Sequence, residues 1–355
     1  MNDNVQSVFS RWFRKYFSDP EAIILALLLF IGFTIVIYLG EMLAPLLASV
    51  VIAYLLEGIV RALVNRKVPR IVAVSIVFSV FMACLLIILF VLIPLLSGQV
   101  SQLVQELPKM LASGQKMLSQ LPELYPHFVT EAQVQEIMEA AGSAVTTLGQ
   151  SVVSFSIASI PSLLTIGIYL VLLPVLVFFL MKDKTQIIVW MSSMLPRERA
   201  LAARIWEEMD QQIGNYVRGK FTEILIVGVV SYIVFALMGL NFAPLLGVLV
   251  GLSVIIPFIG AIVVTLPVVL IAFFQWGFTS DFAWVVVAYL IIQALDGNVL
   301  VPLLFSEAVN LHPVAIIIAV LVFGGFWGFW GVFFAIPLAT LVKAILNSWP
   351  RAAID

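Results

Sequence analysis

Long, unbroken runs of apolar residues dominate the chain. Six of them are 18 to 26 residues long, and they cover 22–39, 42–60, 71–96, 161–181, 221–240 and 282–300. A helix of about 20 residues crosses the roughly 30 Å hydrocarbon core of a bilayer, whereas a barrel strand needs only about 10 residues in alternation. Each run is therefore predicted to be a membrane-spanning α-helix.

Two further apolar stretches, 242–276 and 313–346, are too long for one straight span. Pro257 and Gly260 interrupt the first, and the second is interrupted by Gly324, Gly325, Gly328 and Gly331. Each stretch is either two spans joined by a tight turn or a re-entrant helical hairpin whose tip lies inside the membrane. We favour the hairpin, because broken helices at membrane depth commonly mark transporter sites.

The composition supports a membrane protein. Hydrophobic residues make up 63% of the chain and charged residues 11%, and the mean hydropathy is +1.15. A soluble domain has roughly 45–50% apolar and about 25% charged residues, so lipid must solvate much of this surface. The fold class is therefore all-α and polytopic, with six full spans and two broken hairpins. The net charge of −2 gives no basic excess for nucleic acid, which is not expected as a partner.

The distribution of basic residues predicts the orientation in the membrane. With residues 1–20 placed in the cytoplasm, the inner segments hold 16 of the 18 Lys and Arg residues. Only Lys109 and Lys116 fall in the single large outer segment. Because cytoplasmic loops carry an excess of Lys and Arg, both termini are predicted to be cytoplasmic in a bacterial inner membrane.

These patterns divide the chain into seven segments. They are a cytoplasmic amphipathic N-terminus (1–20), three scaffold spans (21–98), an extracytoplasmic helical segment (99–154), a fourth span (155–182), a cytoplasmic amphipathic helix (183–219), a transport unit (220–346) and a cytoplasmic tail (347–355). Within 196–219, an apolar stripe that includes Ile205 and Met209 is expected to lie along the inner interface or against the bundle.

The outer segment has apolar residues at three- and four-residue steps, which is typical of short surface helices. Pro108, Pro122 and Pro126 are expected to break it. It is interpreted as a cap that packs on the membrane surface or on a neighbouring subunit, in preference to a substrate-capture domain.

A weak internal repeat covers 231–267 and 288–337. Each unit consists of one full span followed by one broken stretch. By the predicted orientation, the two units run in opposite directions across the membrane. Inverted repeats of this kind give many secondary transporters alternating access, so an inverted repeat is predicted in the C-terminal half.

Asp296 is the sharpest candidate site residue. It ends an apolar helix, with Gln293 one turn earlier and Gly297 and Asn298 directly after it. Gly and Asn favour a helix C-terminus or unwinding, which would free peptide groups beside the carboxylate. Such a cluster can hold a cation, a proton or a polar solute. The alternative is a structural carboxylate bonded to an opposing helix N-terminus, but intramembrane charges are functional by default.

The two interrupted stretches complete the predicted substrate path, through Pro257, Gly260, Gly324, Gly325, Gly328 and Gly331. Gly324 and Gly328 also have the small-xxx-small spacing of closely packed helices, which explains them equally well. Glu57 with Arg61 and Lys220 with Glu223 are interpreted as ion pairs that reach the membrane surface. The chain has no phosphate-binding Gly-rich loop and no His-Glu-x-x-His motif, so no enzyme activity, cofactor or metal is expected.

Several motifs together resemble the autoinducer-2 exporter family of bacterial permeases. They include Phe-Ser-Asp-Pro-Glu-Ala at 17–22, Asn-Tyr-Val-Arg-Gly-Lys at 215–220, Ile-Pro-Phe-Ile-Gly-Ala at 256–261, the residues 293–298 with Pro302, Leu-His-Pro at 311–313 and the glycine-rich 324–337. The resemblance covers nearly the whole chain. It implies a homo-oligomer, for which a pentamer is one arrangement. It also implies efflux of the furanone signal autoinducer-2 or, as in some relatives, sodium or lithium–proton antiport.

The sequence therefore predicts an inner-membrane secondary transporter that moves a small polar solute, such as an autoinducer-2-like signal, with coupling to H⁺ or Na⁺. Two other functions remain open at this point. One is a non-transporting scaffold or regulatory protein that acts through its outer segment. The other is a passive channel, whose flux would ignore ion gradients.

Overall fold

A computed structural model describes residues 20–118, 167–194, 200–305 and 311–348, with a few isolated residues between 135 and 147. The described residues form helices and no strand. In chain order these are α1 (Pro20–Asn65), α2 (Arg70–Ile87), α3 (Ile93–Leu118), α4 (Gly167–Lys182), α5 (Lys184–Ser193), α6 (Ala200–Leu237), α7 (Ala243–Ser253), α8 (Ile259–Trp276), α9 (Ser280–Leu295), α10 (Val301–Phe305), α11 (Pro313–Phe333) and α12 (Ala335–Ser348).

Six helical stretches are long and apolar enough to cross a membrane. They are Met42–Asn65, Arg70–Gly114, Ala203–Leu237, Ile259–Trp276, Ser280–Phe305 and Pro313–Phe333. Shorter apolar helices accompany them in the described residues. The predicted all-α polytopic architecture is confirmed.

One helix is assigned from Pro20 to Asn65, and its apolar parts, Ile23–Ile35 and Met42–Asn65, correspond to the predicted runs 22–39 and 42–60. Leu25 clusters with Ile205 and Met209, and Tyr54 Oη donates to Asp210 Oδ1, so both parts lie beside the first half of α6. A straight helix would separate Leu25 from Tyr54 by about 43 Å, so α1 bends between its two parts. The cytoplasmic placement of residues 1–20 remains a prediction.

The helix that carries the third span also continues beyond its predicted end. α2, a π-helical turn at Ile88–Leu92 and α3 follow one another without a break, and α3 passes through Pro108. The predicted break at Pro108 is therefore wrong, while the membrane boundary at 99 remains a prediction. Pro122 and Pro126 lie outside the described residues. Within α3, Val100, Leu103 and Met110 pack against the core formed by α6 to α9, so this part of the outer segment packs on its own chain.

The predicted cytoplasmic helix 183–219 is divided between the short α5 and the first half of α6. α6 runs on without a break through residues 219 and 220 to Leu237, and the predicted membrane boundary there remains a prediction. Its apolar stripe packs against the bundle as one of the two expected arrangements: Ile205 and Met209 cluster with Leu25 and Ala344. The whole helix is about 57 Å long, and its middle lies near residue 219.

Two helical hairpins pack against α6. α7 runs antiparallel to the second half of α6, where Gly251 lies against Gly228 and Gly247 against Tyr232. The absence of side chains at these glycines allows the two backbones to approach closely. α7 then turns at 254–258 into α8.

The second hairpin, formed by α11 and α12, packs against the first half of α6. α12 is also antiparallel to α6, because Ile336 clusters with Tyr216 and Ala344 clusters with Ile205. The hairpins therefore approach α6 from opposite ends. The tip of the first hairpin meets the second hairpin near the middle of α6, where Ile256 packs against Val320 and other residues of the second hairpin.

Candidate functional site

The first hairpin reverses direction between Ser253 and Ile259. Phe258 has a φ of 64°, which lies in the left-handed region that few non-glycine residues adopt. A Cβ on Gly260 would lie 1.7 Å from the carbonyl oxygen of Ser253. The turn is thus so tight that only glycine fits at this position, which explains why the sequence breaks at Pro257 and Gly260.

The second hairpin is broken at Gly328, where φ is 55° and ψ is −130° inside an otherwise helical run. A Cβ on Gly331 would lie 1.8 Å from the carbonyl oxygen of Phe323, so here too the chain folds back on itself. A Cβ on Gly325 or Gly328 would meet nothing within 4 Å. Close packing explains Gly324, because a Cβ there would lie 2.8 Å from Val332 Cγ2 of the opposite arm, whereas Gly328 serves the turn.

Lys220 lies at the middle of α6, beside the first tip. It is only 4% exposed, and its Nζ lies 2.7 Å from Glu223 Oε2. The ammonium also donates a hydrogen bond of 2.9 Å to the carbonyl oxygen of Val254, and it lies 5.2 Å from the ring centroid of Phe305. The interpretation of Lys220 and Glu223 as a surface-reaching pair is wrong, because α6 continues past them and the hairpin tip covers them.

Asp296 begins a π-helical turn, Asp296–Leu300, that joins α9 to α10. The predicted helix end or unwinding at Asp296–Asn298 is wrong, since the helix continues and widens by one residue per turn. Asn298 does bond to the freed backbone: its Nδ2 donates to the carbonyl oxygen of Ala294 at 2.8 Å. Gly297 has open space around it. Single π-helical turns inside α-helices occur frequently at functional sites.

The fold brings Asp296 into the electrostatic range of both Lys220 and Glu223. Among the described residues, Asp296 Oδ1 and Gln293 Nε2 are buried atoms that have no hydrogen-bond partner. A buried polar atom without a partner costs about 1–3 kcal/mol, so both atoms are available to bind something that enters the site. The arrangement offers a carboxylate, an amide donor and an ion pair to a small polar ligand or a cation.

The predicted path residues do not all join this cluster. The first tip reaches it directly, through the carbonyl of Val254. The arm that follows the second tip packs one helical turn away along α6, where Tyr216 Oη donates to the carbonyl oxygen of Phe333 at 2.9 Å. Phe305 connects the two levels, because its ring contacts Tyr216 as well as the Lys220 ammonium.

Comparison with known proteins identifies a family match over most of the chain. The sequence model of the family described as "AI-2E family transporter" matches residues 23–351. The chain belongs to the AI-2E transporter family. It is 50% identical over 344 residues to "Putative permease PerM" of Escherichia coli (strain K12), which covers 97% of this chain and 98% of that protein.

More distant relatives come from Bacillus subtilis (strain 168). "Putative transport protein YueF" is 27% identical over 71% of this chain and 69% of its own length. "Putative transport protein YrrI" is 29% identical over 50% of each chain. With the membrane-spanning helices, this membership makes the AI-2E chain a multi-pass membrane transporter.

Proposed function

We propose that this AI-2E protein is a secondary transporter of the bacterial inner membrane. It moves a small polar solute, of the size and polarity of autoinducer-2, past Lys220, Glu223 and Asp296, with coupling to H⁺ or Na⁺. The observation that carries the proposal is the buried charged cluster at the middle of α6, where the tip of the first hairpin meets the second hairpin. Membership of a family of transport proteins supports a role in transport for this cluster.

The length of one arm supports a re-entrant first hairpin. α7 has 11 residues, so this arm extends for about 16 Å and cannot cross about 30 Å of hydrocarbon. The second hairpin turns at Gly328, so its arms are the longer stretches 313–327 and 329–348. A first tip at this depth would lie near the bilayer midplane, where broken helices of transporters form their substrate and ion sites.

The charges support coupling. Lys220 is shared between Glu223, the carbonyl of Val254 and the field of Asp296. When a proton or Na⁺ binds to Asp296, the carboxylate no longer attracts the Lys220 ammonium. The contacts of Lys220 with Glu223 and with the carbonyl of Val254 then change in strength. Because the same ammonium binds the first hairpin tip, occupancy of Asp296 is coupled to the position of that tip.

The proposal is tested by flux measurements on purified protein in proteoliposomes. Efflux and uptake of a panel of small polar solutes, autoinducer-2 among them, are compared with and without proton and sodium gradients. We expect gradient-driven flux of at least one solute, and we expect Asp296→Asn to abolish the dependence on the gradient. Asp281→Asn is the matched control, since Asp281 lies in the first turn of the same α9 and is exposed.

The outcomes separate the functions. Flux that ignores both gradients in the unchanged protein would identify a passive channel. An absence of flux for every solute under both gradients would favour a scaffold. Coupled flux that survives Asp296→Asn would remove Asp296 from the coupling mechanism.

A further inference from the structure

A second charged cluster surrounds Glu57, far from Lys220 along the chain. The Glu57 side chain is only 8% exposed, and Arg70 binds it with two nitrogens, at 3.1 Å to Oε1 and 3.2 Å to Oε2. Arg61 lies 3.8 Å and Lys184 lies 3.7 Å from the same carboxylate. The predicted pair of Glu57 with Arg61 is present, but the shorter contacts of Glu57 are those with Arg70 at the start of α2.

This cluster has an excess of positive charge. Three cations share one carboxylate, and Arg70 already satisfies both of its oxygens. A nearby carboxylate, Asp210, accepts from Tyr54 Oη at 2.6 Å, and Arg218 is close enough to Tyr54 to balance it. Arg61 is 62% exposed and Lys184 is 26% exposed, so both can reach a further anion.

An apolar cleft of about 120 Å³ begins at these charges. It is lined by Val50, Ala53, Tyr54, Glu57, Leu180, Lys184, Ile187 and Ile188. Among these lining residues, only Glu57 and Lys184 are charged. On α1, Glu57 lies at the charged end of the cleft and Val50 lies at the apolar end, about 10 Å along the helix. Val50 and Ile188 remain 43% and 46% exposed, so the cleft is open along its side.

Helix α5 indicates that this cleft lies at a membrane surface. The helix has only 10 residues, too few to cross, and it follows directly after α4. Val189, Trp190 and Met191 are each more than half exposed. Short helices that expose aromatic and aliphatic side chains beside basic residues lie in the headgroup region of the bilayer.

We propose that the cleft between α1, α4 and α5 binds one anionic phospholipid. The phosphate lies between Arg61 and Lys184, and one acyl chain occupies the apolar part toward Val50. Charge complementarity selects the headgroup, since basic pockets between spanning helices bind anionic lipids. The apolar lining favours a lipid over free phosphate, because only a lipid has an acyl chain that can be buried against it.

The proposal is tested by native mass spectrometry of the purified full-length protein in a neutral detergent, titrated with phosphatidylglycerol or phosphatidylcholine. We expect preferential binding of one phosphatidylglycerol. The double variant Arg61→Gln/Lys184→Gln should weaken that binding about tenfold or more and leave phosphatidylcholine unchanged. The variant should fold, since the Arg70–Glu57 pair is retained.

Arg66→Gln/Lys67→Gln is the matched control, because it removes the same charge from the neighbouring turn but keeps Arg61 and Lys184 beside Glu57. Equal losses in both double variants, or no loss in either, would overturn the proposal. A second variant, Val50→Phe, fills the cleft and keeps every charge, and we expect it to weaken phosphatidylglycerol binding. If Val50→Phe has no effect and soluble glycerol phosphate displaces the lipid, the site binds phosphate alone and the lipid proposal is wrong.

Discussion

Lys220 holds the middle of the molecule together through three contacts of different kinds. Its ammonium is paired with Glu223, bonded to the carbonyl of Val254 and placed against the ring of Phe305. Removal of two charges from water costs several kcal/mol per ion, and their attraction repays this only when the geometry is good. The pair is therefore a poor source of stability, but each partner is indispensable while the other is present.

A residue-scale prediction follows for Lys220→Met. The single change leaves Glu223 buried without its counter-charge, so we expect the free energy of unfolding to fall by about 3–5 kcal/mol. The double change Lys220→Met/Glu223→Gln leaves no unpaired charge and should recover most of that loss. Unfolding in mixed micelles, followed by circular dichroism, measures both, and equal losses in the two variants would show that the pairing does not matter.

The same cluster shows what single residues reveal in the sequence. Asp296 was predicted as a site residue because it is a lone acid among apolar neighbours, and such a residue must have a reason to be there. Lys220 and Glu223 are three residues apart beside charged and polar neighbours, a pattern that a membrane boundary also produces. Their burial depends on the tip of α7 and α8, which local sequence does not specify.

At the scale of elements, each hairpin tip combines one residue at positive φ with one glycine that lies very close to the opposite arm. The first uses Phe258 at positive φ together with a close approach at Gly260, and the second uses Gly328 at positive φ with a close approach at Gly331. In each tip, a Cβ built on one glycine would lie less than 2 Å from a carbonyl oxygen of the opposite arm. Backbone cannot yield to such a contact as a flexible side chain would.

We predict that Gly260→Ala and Gly331→Ala each open their hairpin. The added methyl group overlaps Ser253 or Phe323 backbone, so we expect a large loss of stability, above about 3 kcal/mol, and loss of any transport activity. Gly325→Ala is the control, because its Cβ meets nothing within 4 Å. Thermal unfolding in detergent measures all three variants, and a wild-type melting temperature for Gly260→Ala would contradict the geometry.

The breaks in the hairpins were predictable and the continuity of the helices was not, for one physical reason. A tight reversal needs particular residues, so Pro257 with Gly260 and the four later glycines mark it in the sequence. A helix that continues needs nothing special, and packing offsets a local penalty, as at Pro108 in α3. The break expected at Pro108 was inferred from such a local penalty, about 3 kcal/mol for proline in a helix interior.

At the scale of the whole molecule, α6 acts as the common axis of two oppositely directed hairpins. The contacts of α7 with its second half and of α12 with its first half bring the first tip and the second hairpin together near Lys220. A site at that level can be reached from either side when one tip moves and the other stays closed. Opposed hairpins are thus the structural condition for alternating access, and the inverted repeat itself remains a prediction.

This arrangement predicts that the open ends of the two hairpins lie on opposite sides of the membrane. Cys84 is the only cysteine, so Cys84→Ser gives a background for single-cysteine labelling. Thr279→Cys reports the loop between α8 and α9, and His312→Cys reports the start of α11; both residues are exposed, and the Thr279 side chain makes no cap hydrogen bond that would be lost.

In intact cells, a membrane-impermeant maleimide should label Thr279→Cys and leave His312→Cys unlabelled until the membrane is permeabilised. The direction follows from the basic residues, since the segments that carry most of the Lys and Arg lie on the side of His312. The reverse pattern would invert the protein but keep the hairpins opposed. Labelling of both positions from one side would place both hairpins on that side, and a site between their tips could then no longer serve alternating access.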